Sequence, residues 1–225
     1  DLVLNHISID YHETLTAAAG AQAEENKQDV MKKYAGQYVL VVEGGVPVNS
    51  DGVYCTIGGR TAVDLLKEAA ANAAAIISTG TCASFGGLPR ANPNPTGAKG
   101  TWEIITDKPV VNISGCPAIP EVFTGTLLHF IVFGTLPELD NLHRPKTFYG
   151  QTVHDRCLRR PFYEAGKFAN SFDDEGARQG WCLYKLGCKG PETFANCPQI
   201  LFGDAGTGTW PVGTGHPCIG CTEKG

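Results

Sequence analysis

The chain has 225 residues, a mass of 23.9 kDa, a formal net charge of -5 and 42% hydrophobic content. That length suits one large domain or two small ones, and the apolar content is ordinary for a folded protein. No Lys/Arg run exceeds a pair such as Lys32-Lys33 or Arg159-Arg160, so the basic footprint of a nucleic-acid binder is missing. The longest strongly apolar stretch, Thr126 to Phe133, falls far short of the ~20 residues that cross a bilayer.

The chain begins at Asp1 with neither an initiator Met nor a signal peptide, which predicts an upstream piece outside this sequence. Leu2 to Ile9 reads as a strand, and His12 to Tyr34, rich in Ala, Glu and Lys, as a helix. Tyr38 to Val42 reads as a short buried strand ending at Glu43-Gly44-Gly45. A second helix, about Thr61 to Ala75, precedes a strand at Ile76-Ile77-Ser78 that runs into Gly80-Thr81-Cys82-Ala83. Beyond the Asn92 to Pro95 loop, the strand Val110 to Ile113 ends at Gly115-Cys116-Pro117; Phe123 to Phe133 reads as helix and Thr147 to Tyr149 as a last strand.

Alternating strands and helices predict an α/β domain, a flavodoxin-like open parallel sheet over residues 1–149. Ligands on such sheets bind beyond the carboxyl ends of the strands. Three successive strands end in Gly-containing turns, and two of those turns carry a cysteine, so Cys82 and Cys116 are candidate ligands on one rim. Two thiolates do not complete a cubane, which takes four. The turn after an earlier strand would supply the missing pair, and that turn would lie before Asp1. Cys55, in a turn beside Gly58-Gly59, reads as a thiol without metal, and Glu43 as a turn residue rather than an acid/base group.

From Gly150 the alternation stops, and residues 150–225 read as an irregular, cysteine-rich domain. The stretch from His154 to Cys221 holds two of the six histidines and six of the nine cysteines, interleaved with Gly and Pro. It has no hydrophobic run long enough for a core of its own, so metal bonds that close its loops would supply the missing stabilisation. An odd number of cysteines in a chain this long argues against a disulfide scaffold. Setting His216 aside as a donor to a cluster sulfur rather than a ligand, seven donors divide into four and three: His154, Cys157, Cys182 and Cys188, then Cys197, Cys218 and Cys221. Zinc is the rival, since CxxC and HxxC also suit a tetrahedral ion, but only one group has the paired-knuckle form. His129 and His143 have no thiol nearby and read as packing residues. The Gly203 to Gly215 loop reads as a flexible connector, and no GxxxxGK[ST], GxGxxG or GxSxG motif is present.

Taken together, Tyr11-His-Glu13, Glu43-Gly-Gly45, Gly80-Thr-Cys82, Asn94-Pro-Thr-Gly97, Gly115-Cys-Pro117, Pro137-Glu-Leu-Asp140, Cys182-Leu-Tyr184, Leu186-Gly-Cys-Lys-Gly-Pro191 and Gly215-His-Pro-Cys218-Ile-Gly-Cys221 resemble the small subunit of nickel-iron hydrogenases. The resemblance runs through essentially the whole chain, and Cys55 in Gly-Val-Tyr-Cys looks most like the membrane-associated uptake type. It implies two 4Fe-4S clusters and one 3Fe-4S cluster in a row. Cys82 and Cys116 would be proximal ligands. Cys197, Cys218 and Cys221 would hold the medial 3Fe-4S cluster, with Pro211 where a fourth cysteine might sit, and His154, Cys157, Cys182 and Cys188 the distal 4Fe-4S cluster. A CTGC-like pair before Asp1 and a tail beyond Gly225 are the family features outside this sequence.

The implied function is electron relay in a hydrogenase, with the Ni-Fe centre in a partner large subunit and no catalytic acid, base or nucleophile in this chain. The implied partners are that large subunit, in a heterodimer or a dimer of heterodimers, and a redox partner such as a cytochrome b or an iron-sulfur membrane subunit. The implied place is the periplasmic side of the cytoplasmic membrane. Two other readings stand beside it: a 20-kDa-type iron-sulfur subunit of a quinone reductase, which lacks the C-terminal cysteine series, and a zinc-stabilised interaction module.

Overall fold

The structure, a computed structural model, describes residues 2–202 and 208–225. In chain order the main elements are α1 (Leu2–Asn5), α2 (Ala21–Lys33), β1 (Val39–Glu43), β2 (Val46–Pro47), β3 (Thr56–Ile57), β4 (Arg60–Thr61), α3 (Ala62–Ala71), β5 (Ala75–Thr79), α4 (Gly80–Phe85), α5 (Gly87–Arg90), β6 (Ala98–Lys99), β7 (Val110–Ile113), α6 (Pro120–Phe133) and α7 (Lys146–Tyr149). The three long strands form one parallel sheet in the order β1-β5-β7. Two small antiparallel pairs, β2 with β6 and β3 with β4, complete the strand pairing. The chain divides into two compact units, Asp1–Ser78 with Cys82–Val110 and Thr79–Thr81 with Val111–Gly225.

In the first unit, Val46, Val63, Leu66, Ala70, Ala73, Ile76, Ile105 and Val110 make the core, with Tyr38, Leu40, Val42 and Trp102 packed against it. Val63, Leu66 and Ala70 recur at helical spacing, so α3 buries one face against the strands. Its start is fixed by Thr61, whose hydroxyl oxygen accepts the Asp64 amide at 3.3 Å and whose hydroxyl proton goes to the Asp64 carboxylate at 2.7 Å. In the second unit, α6 begins with Pro120 in its first turn and stops at Gly134, which takes φ 67°. That arrangement satisfies the end of a helix without a side chain in the left-handed region.

Three expected elements differ. Leu2 to Ile9 is not a strand: Leu2–Asn5 is one helical turn, closed by the His6 and Ile7 amides donating to the Leu2 carbonyl. No strand of the described sheets pairs with it, and an unpaired apolar run closes its own backbone bonds locally instead. The helix expected from His12 begins only at Ala21, because Gly20 at φ 59° breaks the path and the His12 to Thr16 stretch is a turn. Thr147 to Tyr149 lies in the helical turn α7, which follows Pro145; the Tyr149 hydroxyl donates to the Ser114 carbonyl at 2.7 Å.

Among the described residues beyond Gly150, regular structure is confined to short pieces: α8 (Arg160–Glu164), α9 (Glu175–Arg178), α10 (Cys197–Ile200) and 3-10 turns. Five residues of the expected Gly203 to Gly215 connector, 203–207, lie outside the described residues. Its later part is not loose: Trp210 and Val212 are buried, and the Thr214 and His216 amides both donate to the Pro211 carbonyl.

Candidate functional site

His154 opens a 3-10 turn, His154–Arg156, at whose end Cys157 returns its amide to the His154 carbonyl. The HxxC spacing thus puts imidazole and thiol on one side of a single turn. Cys182 is buried beside them because its amide and carbonyl bond Lys167 and Ala169. Cys188 follows the turn Tyr184–Leu186, which ends at Gly187 with φ 86°. All four donors line one hollow, walled by Val153, Leu183 and Val212. Burial pushes the Cys157 and Cys182 thiols up, and each is pushed further by its sulfur neighbours. The His154 ring meets Tyr163 edge-on at 4.7 Å, and Tyr163 meets Phe168 and Tyr184 in the same way, so an aromatic fence orients the imidazole.

The three-cysteine set forms a second group. Cys197 heads α10 and, with Cys221, lines a hollow together with Gly115, Ile119, Val122 and Tyr149. The Cys197 thiol is pushed up to about 12, first by burial and then by Cys221 and Cys218. Cys218 sits between the two groups: its amide donates to Cys188 Sγ at 3.3 Å, and its carbonyl accepts the Lys189 amide at 2.8 Å. The loop after Cys188 and the loop carrying Cys218 are therefore laced together by backbone groups.

Cys82 lies in the first unit and Cys116 in the second. Cys82 is half-buried near the start of α4, and a Cβ placed on Gly87 would stand 2.5 Å from its sulfur. A glycine is thus required wherever the backbone passes this thiol. Cys116 is exposed at the end of the β7 turn. Thr81 ties that turn to the three-cysteine group: its hydroxyl accepts the Gly115 amide at 2.9 Å and donates to the Cys221 carbonyl.

All nine cysteines are free thiols. Among the described residues no three His, Cys, Asp or Glu side chains come close enough to hold a single metal ion. A tetrahedral zinc site needs that convergence, at ~2.0–2.3 Å from the ion. A cluster takes one donor at each of several irons, and three thiols and an imidazole around one hollow are a donor set of the kind an iron-sulfur group takes. The remaining candidates do not join these groups: the Cys55 amide and carbonyl are spent on Gly52 and Ala62, and His129 packs on Phe133. His216 Nδ1 donates to the Pro217 carbonyl at 2.7 Å.

Residue spacing did not point to Arg159, Arg144 or Thr81. Arg144 is buried between Asp140 at 2.8 Å and Glu223 at 2.9 Å, with Tyr149 and Phe194 over its guanidinium. Only the Asp140 partner, four residues away, is visible in sequence.

The family of C-terminal domains of the NiFe/NiFeSe hydrogenase small subunit matches residues 149–225, and the NADH ubiquinone oxidoreductase 20 Kd subunit family matches residues 1–130. The Hydrogenase-2 small chain of Escherichia coli K12 is 52% identical over all 225 residues, and the uptake hydrogenase small subunit of Afipia carboxidovorans is 53% identical. The chain spans 60% and 61% of the length of these two relatives. Among solved structures, the oxidised NiFeSe hydrogenase of Desulfovibrio vulgaris Hildenborough is similar at a TM-score of 0.90 and 36% identity, covering 100% of this chain and 84% of that one.

Proposed function

Because the chain belongs to the small-subunit family of nickel-iron hydrogenases, we propose that it is the electron-relaying subunit of an enzyme interconverting dihydrogen with protons and electrons. Bound iron-sulfur clusters accept and release single electrons, and that is the chemistry they would supply here. His154, Cys157, Cys182 and Cys188 would hold a distal 4Fe-4S cluster; Cys197, Cys218 and Cys221 a medial 3Fe-4S cluster; Cys82 and Cys116 part of a proximal 4Fe-4S cluster. The observation that carries this reading is the gathering of His154, Cys157, Cys182 and Cys188 around one apolar-walled hollow.

The residues of this chain hold, insulate and orient. Val153, Leu183 and Val212 wall the hollow of the distal donors, and Tyr163 packs edge-on against the imidazole. The Cys218 amide on Cys188 Sγ links the distal and medial donor sets directly, a hydrogen bond of the kind that tunes cluster potential. The sheet domain over 1–149 and the cluster domain over 150–225 are supported by the spans of the two family matches. The 20 Kd match favours a quinone-reductase reading for the first part alone, while the cysteine series falls in the hydrogenase match. The nickel-iron centre belongs to a large-subunit partner. A cytochrome b or iron-sulfur membrane subunit on the periplasmic face would take the electrons, and no helix among the described residues is long and apolar enough to cross a membrane.

Iron and acid-labile sulfide analysis with EPR of the anaerobically purified, oxidised complex tests this. A 3Fe-4S signal is expected; zinc without iron and sulfide would overturn the assignment.

A further inference from the structure

Two arginines are buried in the second unit, and they are treated differently. Arg144, 3% exposed, is met by the carboxylates of Asp140 and Glu223. Arg159, 6% exposed, has no carboxylate within ion-pair distance among the described residues. Its Nε donates to the Val212 carbonyl at 2.9 Å and one terminal nitrogen to the Trp181 carbonyl at 2.9 Å. Both acceptors are neutral. Taking a guanidinium out of water costs several kcal/mol unless an opposite charge compensates it, and carbonyl dipoles alone do so only in part.

Among the described residues, the donors of the hollow are the groups beside Arg159 that would carry a compensating negative charge. Arg159 lines the same hollow as His154, Cys157, Cys182 and Cys188, and its own amide donates to Cys157 Sγ at 3.4 Å. A cluster held by three thiolates and a neutral imidazole is anionic in either oxidation state and more so when reduced.

We propose that Arg159 is the fixed counter-charge of the distal cluster, raising its reduction potential while its two carbonyl bonds pin the Trp181 and Val212 segments around the hollow. The proposal deepens the distal assignment above and rests on it. A nearby positive charge favours the reduced, more negative form, because the interaction in a water-poor site is weakly screened. Arg159 is a positioning and tuning residue, not a ligand.

The test is an EPR-monitored redox titration of the distal cluster in the full-length protein with its large subunit, with iron and sulfide counted in parallel. Arg159→Gln retains hydrogen-bond donors without the charge, and Arg159→Lys retains the charge without the fork. With the cluster retained, the Gln variant is expected to show a downward shift of midpoint potential and the Lys variant a potential closer to the unsubstituted protein. A Gln variant with a full cluster and an unshifted potential overturns the proposal. Should the Gln variant lose the distal cluster, the Lys variant decides: a retained cluster supports the role of charge, and equal loss overturns it. Absence of iron and sulfide from the unsubstituted protein would instead sink the cluster assignment itself.

Discussion

At Gly87 a single hydrogen separates the backbone from the Cys82 sulfur, and the residue takes φ 56°. Gly87→Ala therefore meets both backbone strain, about 1–2 kcal/mol for a residue in the left-handed region, and a collision with the thiol. A Tm lowered by several degrees together with reduced iron content is expected; an unchanged melting curve would show that the loop moves away freely. Arg144→Ala strips the counter-charge from Asp140 and Glu223, and since both keep some solvent exposure the loss is expected at about 2–3 kcal/mol in urea unfolding, below the range for a fully buried pair. Under the proposed relay, His154→Ala removes one distal donor and leaves the hydrogen-activating centre of the partner intact. Electron delivery to an acceptor should fall far more than hydrogen isotope exchange, and equal losses would argue against a distal place for this imidazole.

At the scale of elements, α3 shows how local chemistry sets a boundary. Thr61 and Asp64 exchange hydrogen bonds across the first turn, so Thr61→Ala should cost about 1 kcal/mol of stability, read as a lowered urea midpoint with unchanged slope. The loops that carry cysteines are held differently. Cys182 is fixed through its amide and carbonyl to Lys167 and Ala169, and Cys218 through its bonds to Cys188 and Lys189. These partners lie 13 to 30 residues away in sequence, which is why spacing alone does not show how the loops interlock. The failed strand at Leu2 to Ile9 has the same origin: apolar content marks a segment for burial, but only a neighbouring strand with free backbone groups turns it into sheet.

For the molecule as a whole, residues beyond Gly150 have short helices and turns around two hollows, whereas the core of the first unit packs Ile76 and Val110 with α3. Removing iron from the holoprotein with a chelator should therefore open amides of the cysteine-bearing loops to hydrogen exchange while those of Ala75–Thr79 and Val110–Ile113 stay protected. Uniform protection across both regions would show that the loops stand without metal. The alternation of strand and helix and the crowding of His and Cys after Gly150 were legible in sequence, because residue chemistry and apolar period are local properties. The two carbonyl bonds of Arg159, the Thr81 tie between Gly115 and Cys221, and the hydrogen bond joining Cys218 to Cys188 were decided only by the tertiary structure. Each depends on which distant backbone group the folded chain brings within about 3 Å, and no spacing rule along the chain encodes that distance.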